Sequence, residues 1–374
     1  MSLKKPVKVI QLFDHYPVFY QPYIPPVIEA LSNTQDLDLK IMAFNGQQSK
    51  VVEIIPSYYK RKFEEKIYQL LHRSNPKLNL AEIRILRSNI DIVHLQHSYL
   101  FPKIIGLLNL PENPRPKIVI TLRGGDTYVK PWLDKKWIDF YKTYGNKIDA
   151  FITMSKHQKD YLHTKWDIEK ERIHVVPISF GDTEEVLPKH PNENVLNIIS
   201  AFRMCWEKNI DGNLRVVKIL KEKGIPVKYD IYGDGADVGQ VYYLIDKYNL
   251  SDCVSYYGKI DNKTLKSLLP NFDFYLQLSH SESLGITVVE AQSAGTPSIV
   301  SNTDGLPESI INGRTGFCVD SYDVEKAAAH MLHLWKHPEE YYLFSKEAIM
   351  FVKSKFTISN EVNKLTKLYL NLSK

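Results

Sequence analysis

The stretch "FDFYLQLSHSESLGITVVEAQSAGTPSIVS", Phe272–Ser301, decides how the chain is read. It opens on an apolar run ending near Leu278, passes through a polar loop carrying Glu282, starts a helix around Gly285 to Thr287 and returns to a second apolar run, PSIVS. A strand, a loop, a helix and a strand in about thirty residues make one crossover unit of a parallel sheet. The same alternation continues on both sides. Upstream lie LNIISAF, KYDIYG and VSYYG, each followed by a helical pattern, and downstream lie a short helix, GFCVD and further helices. The segment Ser179–Asn194 is polar, carries two prolines and lacks periodicity, so it reads as a linker. Before it the alternation runs through VKVIQLF, the helical YIPPVIEALSNT, DLKIMAF, a long helical region, DIVHLQ, a helix-like YLFPKIIGLLNL, KIVITLRG, a helix, AFITMS, a helix and IHVVPI. The fold class is therefore α/β, with two doubly wound, Rossmann-like domains. The expected ligand position is a cleft where the C-terminal ends of the two sets of strands face each other.

Composition agrees with such a protein. The chain has 374 residues, 44% hydrophobic and 24% charged, enough apolar material for two cores. No run approaches the roughly 18 apolar residues of a spanning helix, and MSLKKPVKVIQLF lacks a signal peptide's apolar core and cleavage site, so a cytoplasmic location is expected. Cys205, Cys253 and Cys318 stand far apart, without metal-ligand or disulfide spacing, and read as reduced, mostly buried small hydrophobes.

The formal net charge is +5, too modest to indicate a nucleic-acid partner. Residues 1–187 hold 27 Lys+Arg against 21 Asp+Glu, leaving 21 against 22 for the rest. The excess is densest in YYKRKFEEKIYQLLHRSNPK, Tyr58–Lys77, where Tyr58, Tyr59, Phe63, Ile67, Tyr68, Leu70 and Leu71 gather on one side of a helix with Lys60, Arg61, Lys62, Lys66 and Arg73 around them. One reading is a core-facing helix with a basic rim, and the other is a helix lying on an anionic membrane surface at the inner face of the cell membrane.

The chemistry concentrates in the second half. A helix beginning near Gly285, Ile286 and Thr287 offers free amides and a positive dipole end to a phosphate, and Gly285 allows close approach. Glu290, one turn into that helix, is placed to accept hydrogen bonds from vicinal ribose hydroxyls, while Glu282 reaches the other side of the phosphate site. Arg203 and Lys208 follow the strand LNIIS, five positions apart across a turn. A diphosphate leaving group needs its growing charge neutralised, and charge-assisted hydrogen bonds of this kind contribute about 1.5 to 3 kcal/mol each. Two fixed cations can take the place of the metal ion used elsewhere for phosphate departure. Gly233, in IYGDGADVG, and the backbone of Gly258, Lys259 and Ile260 each follow a strand, the latter framing a base edge.

Taken together, these residues resemble the retaining GT-B glycosyltransferases of family 4. The match is the pair Glu282 and Glu290 within SHSESLGITVVEAQSAGTPSIVSNTDGLPESIINGRTGF, joined by Arg203, Lys208, YDIYGDG and VSYYGKI, and it covers residues 195–320 in order and spacing. The resemblance implies transfer of a sugar from a nucleoside diphosphate donor, UDP or GDP, to a glycan, lipid-linked or lipopolysaccharide-type acceptor, with retention and without an essential metal. It implies that Glu290 binds the ribose, Glu282 contacts the donor sugar, Arg203 and Lys208 hold the diphosphate, and the Gly285–Thr287 amides hold the distal phosphate. It also implies an acceptor domain over residues 1–180, a donor domain over 190–354, and a C-terminal helix from about 355 to 374 that packs back on the first.

The first half matches more loosely, through DIVHLQHSYLF, IVITLRGGDTY and AFITMSKHQKDYL. Acceptor-side candidates are His97, Arg123, Asp126, Tyr20 and Gln21. Two departures stand out: Arg123 occupies a position where the family often has histidine, and DHYPVFYQPYI replaces an expected glycine pair. Two other readings stay open, an NAD-dependent oxidoreductase, favoured by GDGADVG, and a non-catalytic nucleotide-sugar binding module.

Overall fold

The computed structural model describes residues 5–17, 21–56, 58–71, 77–113, 115–179 and 185–374. The chain divides into two compact units, Met1–Ser179 with Ile358–Lys374, and Phe180–Thr357.

The first unit is built on seven parallel strands: β1 (Val7–Tyr16), β2 (Leu37–Gly46), β3 (Val52–Ile54), β4 (Ile92–Leu95), β5 (Lys117–Thr121), β6 (Ala150–Thr153) and β7 (Ile173–Val175). Their spatial order is β3-β2-β1-β4-β5-β6-β7. The register pairs Val9 with Ile92 and Val93 with Ile118. Ile10, Leu12, Val93, Leu95, Ile118 and Ile120 face one core, while Val9, Ile92 and Val119, one residue out of phase, are buried on the other side. Burial on both faces accounts for continuous apolar strands where an exposed sheet would alternate.

The second unit has six parallel strands: β8 (Leu196–Ala201), β9 (Val227–Tyr232), β10 (Val254–Gly258), β11 (Phe274–Gln277), β12 (Ser298–Ser301) and β13 (Gly316–Val319). Their order is β10-β9-β8-β11-β12-β13. Neighbouring residues enter opposite cores: Ile198, Phe274, Leu276 and Ile299 pack in one, and Ile199, Tyr275 and Val300 in the other. Both sheets reverse strand order beside their first strand, β1 or β8, so each is doubly wound and offers a switch point at its C-terminal strand ends.

Three readings of the sequence change. The long helical region after β2 contains the edge strand β3, too short for its period to be seen. YLFPKIIGLLNL is no continuous helix but a 3-10 turn, Ser98–Lys103, followed by the short helix Ile105–Leu108: Pro102 has no amide to donate, and the backbone leaves helical geometry at Ile104. The supposed linker is anchored in its later part, where the Lys189 ammonium donates to the carbonyl oxygens of Pro270 and Phe272 and to Thr296 Oγ1. Burial lowers its pKa to about 8.

The cysteines are free but only half-buried. No described helix is long and apolar enough to cross a membrane.

Candidate functional site

The site of the second unit assembles from the ends of β8 and β11 and the start of the Ile286–Ser293 helix. Gly285 caps that helix at φ +78° without a side-chain capping bond. A Cβ there would stand 2.5 Å from Leu306 Cδ1, so glycine is required both by the left-handed backbone and by the close approach. The first helical amide with a carbonyl partner is Val288, on Gly285 O at 3.1 Å, and the amides of Ile286 and Thr287 come before it, at the positive end. The hydroxyl of Tyr275 fixes this end: it donates to the Ala201 carbonyl at 2.9 Å and lies 2.7 Å from Thr287 Oγ1. One buried tyrosine thus ties β8, β11 and the helix start together.

Lys208 closes the short turn Trp206–Lys208 after β8, and its ammonium donates to Glu282 Oε2. Glu282 also accepts from Gln277 Nε2 at 2.9 Å and from the Ser283 amide at 3.1 Å. Its loop is fastened through Asp304, whose Oδ2 accepts from Ser281 Oγ at 2.8 Å, and through the Gly305 amide, which donates to the Glu282 carbonyl at 3.0 Å. Both members of the Lys208–Glu282 pair are largely shielded, with side chains 14% and 16% exposed. Asn213 holds the turn in place, donating to the carbonyls of Lys208 and Asn209 and accepting from the Leu278 amide. Arg203 behaves differently. Its side chain is 67% exposed and, among the described residues, reaches Glu207, at 3.4 Å, and Cys205 Sγ, at 3.4 Å.

Glu290 is 3% exposed. Its Oε1 accepts from Asn262 Nδ2 at 2.7 Å, and its Oε2 has no hydrogen-bond partner among the described residues. Burial pushes its pKa up, against the opposing effects of Asn262 and Lys266. A buried carboxylate oxygen left without a donor is costly unless a ligand supplies one.

The remaining donor-side candidates are mainly structural in their contacts. Gly233, at φ +131°, is forced by its neighbour, since a Cβ would lie 1.8 Å from Phe202 O, and a Cβ on Gly235 would lie 2.2 Å from Met204 O. The loop after β8 therefore accounts for the first two glycines of GDGADVG without a dinucleotide. Gly258 accepts the Gly233 amide at 2.8 Å. Lys259 is exposed and Ile260 packs against the core that contains Leu265 and Val288.

In the first unit, Tyr20 lies outside the described residues. His97 is buried, its Nε2 2.8 Å from Gln21 Oε1, and burial followed by the charges of Arg123 and Lys130 lowers its pKa to about 3. Arg123 donates to the Gln96 carbonyl at 3.2 Å and to Gln96 Oε1 at 3.1 Å, with its guanidinium 5.6 Å from the Tyr23 ring centre. Asp126 is 5% exposed and accepts from Ser98 Oγ and from the amides of Arg123, at 3.1 Å, and Gly124, at 2.9 Å. Its carboxylate organises the turn after β5. His94 is held between Tyr369 Oη, 2.6 Å, and Thr121 Oγ1, 2.7 Å.

Sequence reasoning missed Asn262, Gln277, Tyr275 and Asn213. Their signal was present but generic: Tyr275 and Gln277 lie in a recognised strand, Asn213 lies in the first turn of a helix and Asn262 opens one, and no spacing distinguished them.

Two parallel α/β units, one with a glycine-capped helix start beside a buried acid and a lysine–carboxylate pair, have the architecture of a group-transfer enzyme. Comparison with known proteins makes this specific. Residues 182–350 match the family Glycosyl transferases group 1, and residues 41–178 match Glycosyltransferase Family 4. An uncharacterized 41.2 kDa protein in the cps region of Klebsiella pneumoniae is 30% identical over 310 residues, 78% of this chain and 82% of that protein. The N-acetyl-alpha-D-glucosaminyl L-malate synthase of Bacillus anthracis is 26% identical, covering 76% of each. In structure, Anabaena Alr3699/HepE in complex with UDP aligns at TM-score 0.75 and 13% identity, over 98% of this chain and 100% of that one. S. aureus TarM aligns at 0.66 and 20%, this chain spanning 59% of it. The chain belongs to the group 1 glycosyl transferases, with the two-domain GT-B fold, and is a hexosyltransferase-type enzyme.

Proposed function

We propose that the protein moves a hexose from a nucleoside diphosphate sugar, UDP-linked, to a glycan or lipid-linked acceptor, keeping the anomeric configuration and using no metal ion. The observation that carries this is Glu290: a buried acid with one oxygen on Asn262 and the other without a donor, one turn inside the helix that starts at Gly285. A ribose diol supplies the missing donors. The diphosphate then lies toward the Ile286 and Thr287 amides, with Lys208 and Arg203 neutralising it. As the bond between the anomeric carbon and the phosphate oxygen breaks, charge grows on that oxygen and both cations bind it more strongly than in the ground state. The acceptor oxygen bonds to the same face of the anomeric carbon, and its proton passes to the departing phosphate oxygen. Glu282 keeps Lys208 in position and receives hydroxyls of the donor sugar.

The relatives support the donor assignment: Anabaena HepE is seen with UDP and with UDP-glucose, and the pneumococcal O-GlcNAc transferase GtfA with UDP and GlcNAc. The Klebsiella relative from a cps region favours a polysaccharide-type acceptor. The first-unit groups His97, Gln21 and Arg123 are assigned to the acceptor side.

The test is thermal stabilisation by UDP, GDP, ADP, CMP, dTDP and NAD, with EDTA and then with magnesium. UDP at a hundredfold excess over Kd is expected to stabilise by about 2.7 kcal/mol, unchanged by EDTA and absent in Glu290→Ala. Stabilisation by NAD alone, or by nothing, would overturn the proposal.

A further inference from the structure

The Tyr58–Leu71 helix of the first unit is amphipathic in the opposite sense to a core helix. Its inward face is polar: Glu65 is buried and accepts the Leu80 amide at 3.0 Å, Glu64 meets Arg84 at 3.2 Å, and Tyr68 turns in against Leu78 and Ile83. Its outward face is apolar. Phe63 is 67% exposed, Leu70 63%, Leu71 70% and Ile67 40%, with Tyr59 beside them. At 3.6 residues per turn these positions fall within an arc of about 120°. Burial within the chain therefore contradicts the reading of this helix as core-facing. Five large apolar side chains on one outward face exceed the scattered exposure of an ordinary surface.

The charges bordering this face have one sign. Lys60 and Lys66 are exposed, and the Lys62 side chain, 56% exposed, pairs with Glu65 at 3.4 Å; both acids of the helix, Glu64 and Glu65, are engaged on the inward side. Along the flank a cavity of about 340 Å³ is lined by Arg61, Lys62, Lys77 and Lys103 with Glu65, four cations to one acid.

We propose that this helix docks the enzyme on an anionic lipid bilayer, with Phe63, Ile67, Leu70 and Leu71 entering the acyl boundary, Lys60 and Lys66 on lipid phosphates, and the basic cavity taking a headgroup. Charge complementarity selects this occupant. A second copy of the chain would set one basic rim against another, and a neutral apolar partner would leave the cations unused.

The experiment is sedimentation of the full-length chain with vesicles of phosphatidylcholine alone and of phosphatidylcholine with 30% phosphatidylglycerol, at about 0.15 M salt. Binding only to the anionic vesicles is expected. It should fall at least about tenfold in K60E/K66E and be lost in F63S/L70S. Because all four positions are exposed, these variants should melt at the temperature of the parent, and melting without nucleotide separates this test from the donor-site reading. No binding to the anionic vesicles, equal binding to neutral ones, or self-association abolished by F63S/L70S in place of lipid binding would each overturn the proposal.

Discussion

Each unit presents a cluster of polar side chains just beyond its parallel strands, and the two clusters are satisfied differently. Beyond β5, Asp126 receives the Ser98 hydroxyl and two amides of its own turn, and His94, within β4, has a partner on each ring nitrogen. Beyond β8 and β11, Lys208 and Glu282 hold each other, and Glu290 keeps one buried oxygen without a partner. The difference teaches how to rank candidates. A carboxylate whose hydrogen bonds are filled from within shapes the backbone, while one left partly unfilled in a buried position stores an interaction for a ligand.

Substitutions can break or sharpen that contrast. The largest effect is expected for Lys208→Ala, which removes the shielded cation from the leaving group: kcat should drop by roughly a hundredfold to a thousandfold, with a smaller change in KM. An unchanged kcat would detach Lys208 from the chemistry. Next comes Asp126→Ala, which strands one hydroxyl and two amides and should cost about 3 kcal/mol in urea unfolding. Lost transfer at full stability would instead make Asp126 a substrate contact. The smallest effect is expected for Glu290→Gln, with UDP affinity falling about tenfold, or about 1.4 kcal/mol. In the free protein the same change should leave the melting temperature equal or higher. Burial raises the folded carboxyl above its unfolded pKa, so the native glutamate loses stability as pH rises through that interval, and glutamine has no such loss. Unaltered UDP affinity would place the ribose elsewhere.

Much of the fold was legible because it rests on local rules. Twelve of the thirteen strands are visible as short Val- and Ile-rich runs, and the helix at Gly285 is marked by a residue able to take φ +78°. The exception, β3, is three residues long and offers no period. The chemical identities of Lys208, Glu282 and Glu290 were equally legible, since they stand in recognisable blocks. GDGADVG shows the limit of such reading: its first two glycines answer to the carbonyls of Phe202 and Met204, not to a bound dinucleotide.

By itself the sequence determined the order of strands and helices, the places where the backbone can turn, and which charged groups follow which strand. Tertiary structure alone decided which of those groups are paired. Lys208 meets Glu282 across 74 residues, and Glu290 meets Asn262 across 28. It also turned the Tyr58–Leu71 helix so that its acids face in and its apolar side chains face out. Propensity and periodicity act within a few residues, whereas burial and charge pairing are set by distant segments that only the folded sheet brings together.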